Sequence, residues 1–194
     1  VQEALARPAD SLDSLFHILA QEVFGRQPDD VQDFMRISAV LDVLTAPACN
    51  ALRAAADSAA MLSYLQRQEL FIVDLGDGGY RYHHIFQRFL RRTVPASQSR
   101  EWHGRAAAYF TGQGDLDAAV YHLLKADDFA GAADLLSDYG ARLLATGRLD
   151  TLATYLDELP PDILQAHPNL LTYLGDLTRL HSRFQEALGW YQQA

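Results

Sequence analysis

Cysteine, lysine and long apolar runs are nearly absent from this chain, and each shortage removes a class of protein. Its one cysteine, Cys49, lies between Pro47 and Leu52 in an apolar stretch. An internal disulfide framework and a thiolate metal cluster are therefore excluded, and a buried, inert thiol is expected. The sole lysine is Lys125, and no Gly-x-x-x-x-Gly-Lys-Ser/Thr phosphate loop occurs, so an ATPase core is not among these residues. No run approaches the roughly 18 consecutive apolar residues of a membrane helix. A Gly-x-Ser-x-Gly elbow and a His-Glu-x-x-His frame are also missing, and no catalytic residue is assigned.

Basic charge is scarce as well. The net charge of −9 argues against the whole chain binding nucleic acid, which draws its affinity from phosphate neutralisation. The exception is the stretch 81–105, where Arg81, Arg88, Arg91, Arg92, Arg100 and Arg105 face a single acid, Glu101. That stretch is a basic strip on an otherwise acidic body, suited to DNA phosphates or to the acidic surface of a neighbouring module.

What is present is a frame that returns three times: Gly114-Asp115-Leu116-Asp117-Ala118-Ala119, Gly147-Arg148-Leu149-Asp150-Thr151-Leu152 and Ser182-Arg183-Phe184-Gln185-Glu186-Ala187. The anchors Leu116, Leu149 and Phe184 stand 33 and then 35 residues apart, around the roughly 34-residue period of tetratricopeptide helix hairpins. An extra helix around Phe129 to Tyr139 interrupts the period. Eight aromatics of the arm, from Tyr109 to Tyr191, are read as inter-helix packing.

The front half has another pattern. Asp10-Ser11 caps a helix with Leu12, Leu15, Phe16, Leu19, Val23 and Phe24 on one stripe, ended by Gly25. Pro28-Asp29-Asp30 opens a second, with Val31, Phe34, Ile37, Ser38 and Leu41 on one face, running to about Leu44. Thr45-Ala46-Pro47 starts a short helix through Arg53, and Asp57-Ser58 caps another through Gln68. Phe71-Ile72-Val73-Asp74-Leu75 and Tyr80-Arg81-Tyr82, joined by Gly76-Asp77-Gly78-Gly79, read as a β-hairpin, and the turn's acids exclude a phosphate cradle. His83 to Val94 returns to helical spacing and stops at Pro95. Helices followed by one hairpin are a winged-helix pattern. The expected fold class is mostly α, a winged helix followed by a tetratricopeptide-like α-solenoid.

Several segments carry a family likeness. Gln27-Pro28-Asp29-Asp30-Val31-Gln32-Asp33-Phe34, Leu44-Thr45-Ala46-Pro47-Ala48-Cys49, Tyr80-Arg81-Tyr82-His83-His84-Ile85-Phe86, Trp102-His103-Gly104-Arg105-Ala106-Ala107-Ala108-Tyr109 and Leu156-Asp157-Glu158-Leu159-Pro160-Pro161 resemble the large ATP-dependent LuxR-type transcription regulators, the MalT-like branch of the STAND nucleotide-switch family. The resemblance implies a linking helix from a preceding ATPase or helical module over 1–27, a winged helix over 28–95 and a truncated helical arm over 96–194. The start at Val1 and the finish at Ala194 fit an internal segment of a longer, cytoplasmic protein.

The resemblance also implies partners: a nucleotide-binding module of the same polypeptide, a protein or inducer on the arm, self-association, and DNA through a separate domain. ATP or ADP would belong to the parent, with no cofactor in this chain. Arg81-Tyr82-His83-His84-Ile85-Phe86 is similar to the Met-His-Asp segment by which related switch proteins sense ADP, so His83 with Arg81 is the candidate nucleotide sensor. Tyr82 and His84 stand where that family carries Met and Asp. Arg88, Arg91 and Arg92 are candidate partner or phosphate contacts. A zinc site on His83 and His84 is not expected, because neighbours in a helix point about 100° apart and no third ligand stands nearby. Two other readings stay open: a DNA-binding winged helix with a dimerising repeat tail, and a repeat adaptor for a protein or peptide.

Overall fold

The computed structural model describes residues 18–194, and the expected cap at Asp10 and Ser11 lies outside them. Among the described residues the chain is helical apart from one β-hairpin, and it divides into two compact units, one ending at Trp102 and one spanning His103–Ala194. The first unit is a winged helix and the second is made of further helices.

In the first unit, helix α1 (18–25) places Phe24 in the core, edge-on to Phe89 with ring centroids 5.7 Å apart. Helix α2 (Asp29–Ser38) starts after Pro28 with Asp29 and Asp30 in its first turn and buries Val31, Phe34, Met35 and Ser38. Acids near the free N–H groups of a helix start are favourable, which explains the placement. The expected continuation to Leu44 does not occur. After Ser38 the carbonyls of Ala39 and Leu41 are taken by the Gln87 amide at 3.1 and 2.8 Å, and the Arg91 Nε donates to Ala39 at 2.7 Å. Those side chains satisfy the backbone groups that a longer helix would have paired internally.

Helix α3 (Ala46–Arg53) follows as expected, with Thr45 accepting from the Ala48 N–H at 3.3 Å and Pro47 in the first turn. Cys49 is fully buried on it, and burial pushes its thiol up to about 12, which leaves it inert at neutral pH. Helix α4 (Ser58–Arg67) is not capped by the Asp57 carboxylate, which pairs with Arg53; the Asn50 side chain accepts from the Ser58 N–H instead, at 3.0 Å.

The wing consists of β1 (Ile72–Gly76) and β2 (Gly79–Tyr82), antiparallel, with Val73 opposite Arg81 and Asp74 opposite Tyr80. Asp77 and Gly78 form the two-residue turn, both with positive φ, as a tight hairpin requires. A short third partner joins it: Leu44 and Tyr80 exchange both backbone hydrogen bonds, at 2.7 and 2.9 Å. Phe71 was expected in β1 but precedes it with φ of +52°. Helix α5 (His84–Arg92) closes the unit by burying Phe86, Phe89 and Leu90.

Helix α6 (Ala96–Gln113) contains the boundary between the units. The second unit continues with α7 (Leu116–Lys125), α8 (Phe129–Ala145), α9 (Leu149–Asp157), α10 (Pro161–Gln165), α11 (Pro168–Leu180) and α12 (Phe184–Gln193). The three sequence frames open α7, α9 and α12, and each begins with a residue of positive φ: Gly114, Gly147 and Ser182. The interrupting helix runs to Ala145 rather than Tyr139 and has the same kind of entry, since Asp127 is left-handed and the Asp128 side chain accepts from the Gly131 N–H at 3.0 Å. The core joins Val120 and Leu124 of α7, Leu136 and Leu143 of α8, Leu152 and Leu156 of α9, and Leu170 and Leu177 of α11. Leu180, Phe184, Leu188 and Tyr191 leave an apolar stripe exposed on the last hairpin.

The α7 to α9 joint is polar. Asp117 pairs with Arg148, which also donates to the Tyr139 hydroxyl at 3.3 Å. Partial burial raises the Asp117 carboxyl, but its bonds with Arg148 and Tyr139 outweigh that and hold it below the usual carboxylate range. A carboxyl with a depressed folded pKa contributes stability above its unfolded value and loses it as pH falls through the folded one. Asp117→Asn is therefore expected to lower the urea midpoint at neutral pH, with the gap to wild type closing in acid. An equal gap at both pH values would mean that the carboxylate charge is not what holds the joint.

Candidate functional site

The hairpin exit and the start of α5 frame an open cleft of about 370 Å³, lined by Asp42, Val73, Arg81, Tyr82, His83, His84 and Gln87. Its geometry begins with Phe71. That residue takes a backbone conformation unfavourable for a bulky side chain, and its carbonyl accepts from the His83 N–H at 2.7 Å. The Phe71 ring packs 4.8 Å from that of Phe86, which anchors the turn. His83 is thereby fixed as the residue before α5, with φ −57° and ψ 132°, and its own carbonyl accepts from the Gln87 N–H at 2.9 Å.

Beneath the cleft, the Tyr82 hydroxyl meets Ser38 Oγ at 2.8 Å, both groups fully enclosed. Burial pushes the Tyr82 phenol far above its ordinary range, so it stays neutral. Because side chains alternate along a strand, Tyr82 inward leaves Arg81 outward, and Arg81 is exposed on the cleft wall opposite Val73. The two residues singled out in the sequence as a nucleotide sensor, His83 and Arg81, thus line one cleft.

The candidate arginines of α5 separate into two kinds. Arg88 and Arg92 are exposed, one and two turns after His84 on the same side of the helix. Arg91 is tied into the unit itself, donating to the carbonyls of Ala39 and Val40 and pairing with Asp42 at 3.1 Å. Its guanidinium shapes the cleft by holding Asp42 in the wall.

Sequence reasoning missed three members of this site. Asp42 and Gln87 arrive through contacts across the fold, and no local pattern marks them. His84 was weighed only as a metal ligand, on the assumption that it and His83 share helical geometry. His83 is not helical, and the two rings lie side by side, with centroids 4.6 Å apart and planes 33° apart. Among the described residues no three His, Cys, Asp or Glu side chains group to hold a metal ion.

The surface of α4, which in a DNA-reading winged helix would enter the groove, shows Ala59, Ala60, Gln66 and Arg67. Gln66 is engaged with Asp74 at 2.9 Å and Tyr80 at 3.2 Å. Base edges are read by Arg, Asn or Gln side chains, and this helix offers few of them. No helix among the described residues is long and apolar enough to cross a membrane.

Comparison with known proteins agrees with this architecture. Residues 20–102 match the MalT winged helix domain. Over 177 residues, 89% of this chain and 20% of the relative, the sequence is 27% identical to the HTH-type transcriptional regulator MalT of Vibrio campbellii. It is 27% identical over 192 residues, 91% of this chain and 17% of the relative, to the serine/threonine-protein kinase PknK of Mycobacterium tuberculosis. The MalT regulator of Cronobacter sakazakii is 28% identical over 173 residues, 87% of this chain and 19% of its own length. The chain spans about a fifth of the length of the curated relatives it matches.

Proposed function

We propose, from the match of residues 20–102 to the MalT winged helix domain, that this chain is the winged-helix and helical-arm segment of an ATP-dependent LuxR/MalT-type transcription regulator. Its work is conformational coupling. The winged helix packs on a nucleotide-binding module of the same polypeptide, and the helical arm carries the resulting state to a protein or inducer partner, or to self-assembly. DNA binding belongs to a separate domain of the parent.

The observation that carries this reading is the convergence of His83 and Arg81 on one cleft beside the wing, with His83 held in place by Phe71. The donor set fits an anionic group: Arg81 supplies a permanent charge, the imidazoles supply N–H donors, and the one acid in the wall, Asp42, is offset by Arg91. A nucleotide phosphate there would link the winged helix to the module that binds the rest of the nucleotide. A switch of this kind needs the nucleotide to favour one arrangement over another, and a phosphate contact from a second domain supplies that difference. On the arm, the exposed stripe of Leu180, Phe184, Leu188 and Tyr191 supports contact with a partner or with further protein.

The test is ADP retained by the purified full-length protein, wild type against His83→Ala, with folding verified for both. Retention is expected to fall at least about tenfold in the variant, the loss of one charge-assisted hydrogen bond. Unchanged retention by a folded variant would leave His83 a structural residue at the start of α5 and remove the coupling mechanism.

A further inference from the structure

We propose that the cleft beside the wing grips a phosphoryl group with two imidazoles at once, His83 and His84, so that binding takes up a proton and strengthens as pH falls. The inference rests on the reading of His83 as phosphate-facing and adds a second ligand and a pH dependence to it. Consecutive residues of a helix diverge by about 100° and seldom share a ligand. Here the first of the two has extended rather than helical backbone, and the second is the first residue of α5. The side chains therefore run together, both exposed, both lining the cleft, with ring centroids 4.6 Å apart. At that spacing the ring nitrogens can reach different oxygens of one tetrahedral anion.

The surroundings favour an anion. Arg81 enters from β2 and Arg88 follows one turn after His84 on α5. Asp42, from the connection between α2 and α3, is the one carboxylate in the lining, and Arg91 offsets it at 3.1 Å. Tyr82 is turned inward onto Ser38, and the Gln87 amide is occupied by the Ala39 and Leu41 carbonyls, so neither competes. Val73 from β1 supplies an apolar wall. A bound anion favours the charged form of any imidazole beside it, so an anion lying across both rings draws in a proton. Proton uptake on binding means that affinity rises as pH falls.

The experiment follows the histidine ring signals of the 194-residue chain by NMR while inorganic pyrophosphate is added, at about pH 6 and about pH 8 on either side of the imidazole range. Calorimetry in two buffers of different ionisation heat reads the net proton uptake, from which the ligand's own phosphate ionisation in this pH range is subtracted. ADP and adenosine are titrated in parallel, to separate recognition of the phosphoryl group from recognition of the nucleoside. The expected result is that His83 and His84 respond together with one dissociation constant, with protons taken up near neutrality. Binding should be about tenfold tighter at the lower pH, as for one linked proton, and adenosine should have no effect. His84→Asn, with His84→Gln as a second variant should the first fold poorly, should reduce the pH dependence below about twofold while His83 still responds. A response from His83 alone, with affinity independent of pH, would overturn the two-imidazole site and leave the sensor reading standing. Silence from both rings would overturn this proposal, whereas the sensor reading stands or falls by ADP retention in the full-length protein.

Discussion

Truncating Phe86 to alanine is expected to destabilise the first unit by about 3–5 kcal/mol, the range for losing a large aromatic from a closed core. Phe86 is fully buried and its ring meets those of Phe71, Tyr82 and Phe89 at 4.8, 5.8 and 5.9 Å. It therefore joins α5 to both ends of the wing. At about 4–8 °C per kcal/mol for a domain of this size, thermal denaturation should show a large drop in midpoint. Phe86→Leu fills much of the space and should lose less than half as much. The prediction reaches the cleft too, because Phe86 backs Phe71, whose carbonyl fixes His83. A loss below about 1 kcal/mol, far under the usual range, would show that the site closes up around the hole and that Phe86 does not brace the wing.

The second large effect is expected at Gly140, in the second unit. A Cβ built there would stand 2.4 Å from the Tyr173 ring of α11. That ring cannot swing away freely, because its hydroxyl donates to the Ser137 carbonyl at 2.8 Å. Intrinsic helix propensity favours alanine over glycine by about 1 kcal/mol, whereas overpacking costs about 1–3 kcal/mol. Gly140→Ala should therefore be a net loss and Gly140→Val a larger one. In a Tyr173→Ala background the clash is gone, and Gly140→Ala should become neutral or stabilising. Urea denaturation of the four chains measures the coupling directly. Equal effects of Gly140→Ala with and without the Tyr173 ring would show that close approach is not why glycine stands there.

These positions also mark where the sequence was legible. Helix α3 could be read because Thr45 and Pro47 act within one turn, and the wing could be read because Asp77-Gly78 permits the positive φ of a tight turn. The end of α2 could not. It is decided by Gln87 and Arg91, about fifty residues away, whose side chains capture the carbonyls of Ala39 and Leu41. Phe71 looked like a strand residue because its aromatic character suits a strand, and its left-handed backbone is held by packing on Phe86 and by backbone hydrogen bonds to Glu69 and His83, which no local pattern announces. In the second unit, frames beginning Gly114, Gly147 and Ser182 were visible as repeats. The fourth entry, at Asp127, has an aspartate in the left-handed position and an early spacing, so it broke the period and looked like an interruption.

The site follows the same division. His83 and Arg81, which line one cleft, could be singled out because a local string of residues carries them. Asp42 and Gln87 are brought in by tertiary structure. The side-by-side placement of His83 and His84 was not legible, because helical spacing does not apply to a residue pair that straddles a helix boundary.

The ties that end α2 have a consequence for recognition. Gln87 and Arg91 bolt the connection after α2 to the body of α5, so Asp42 and His84, on different walls of the cleft, are carried by one piece of framework. An anion bound as proposed above would meet walls that are already set, with the entropy of arranging them lost during folding rather than at the moment of capture. In the anion-binding reading proposed above, loosening that bolt with Arg91→Met would weaken capture twice, by freeing the wall and by leaving the Asp42 charge without its counter-ion.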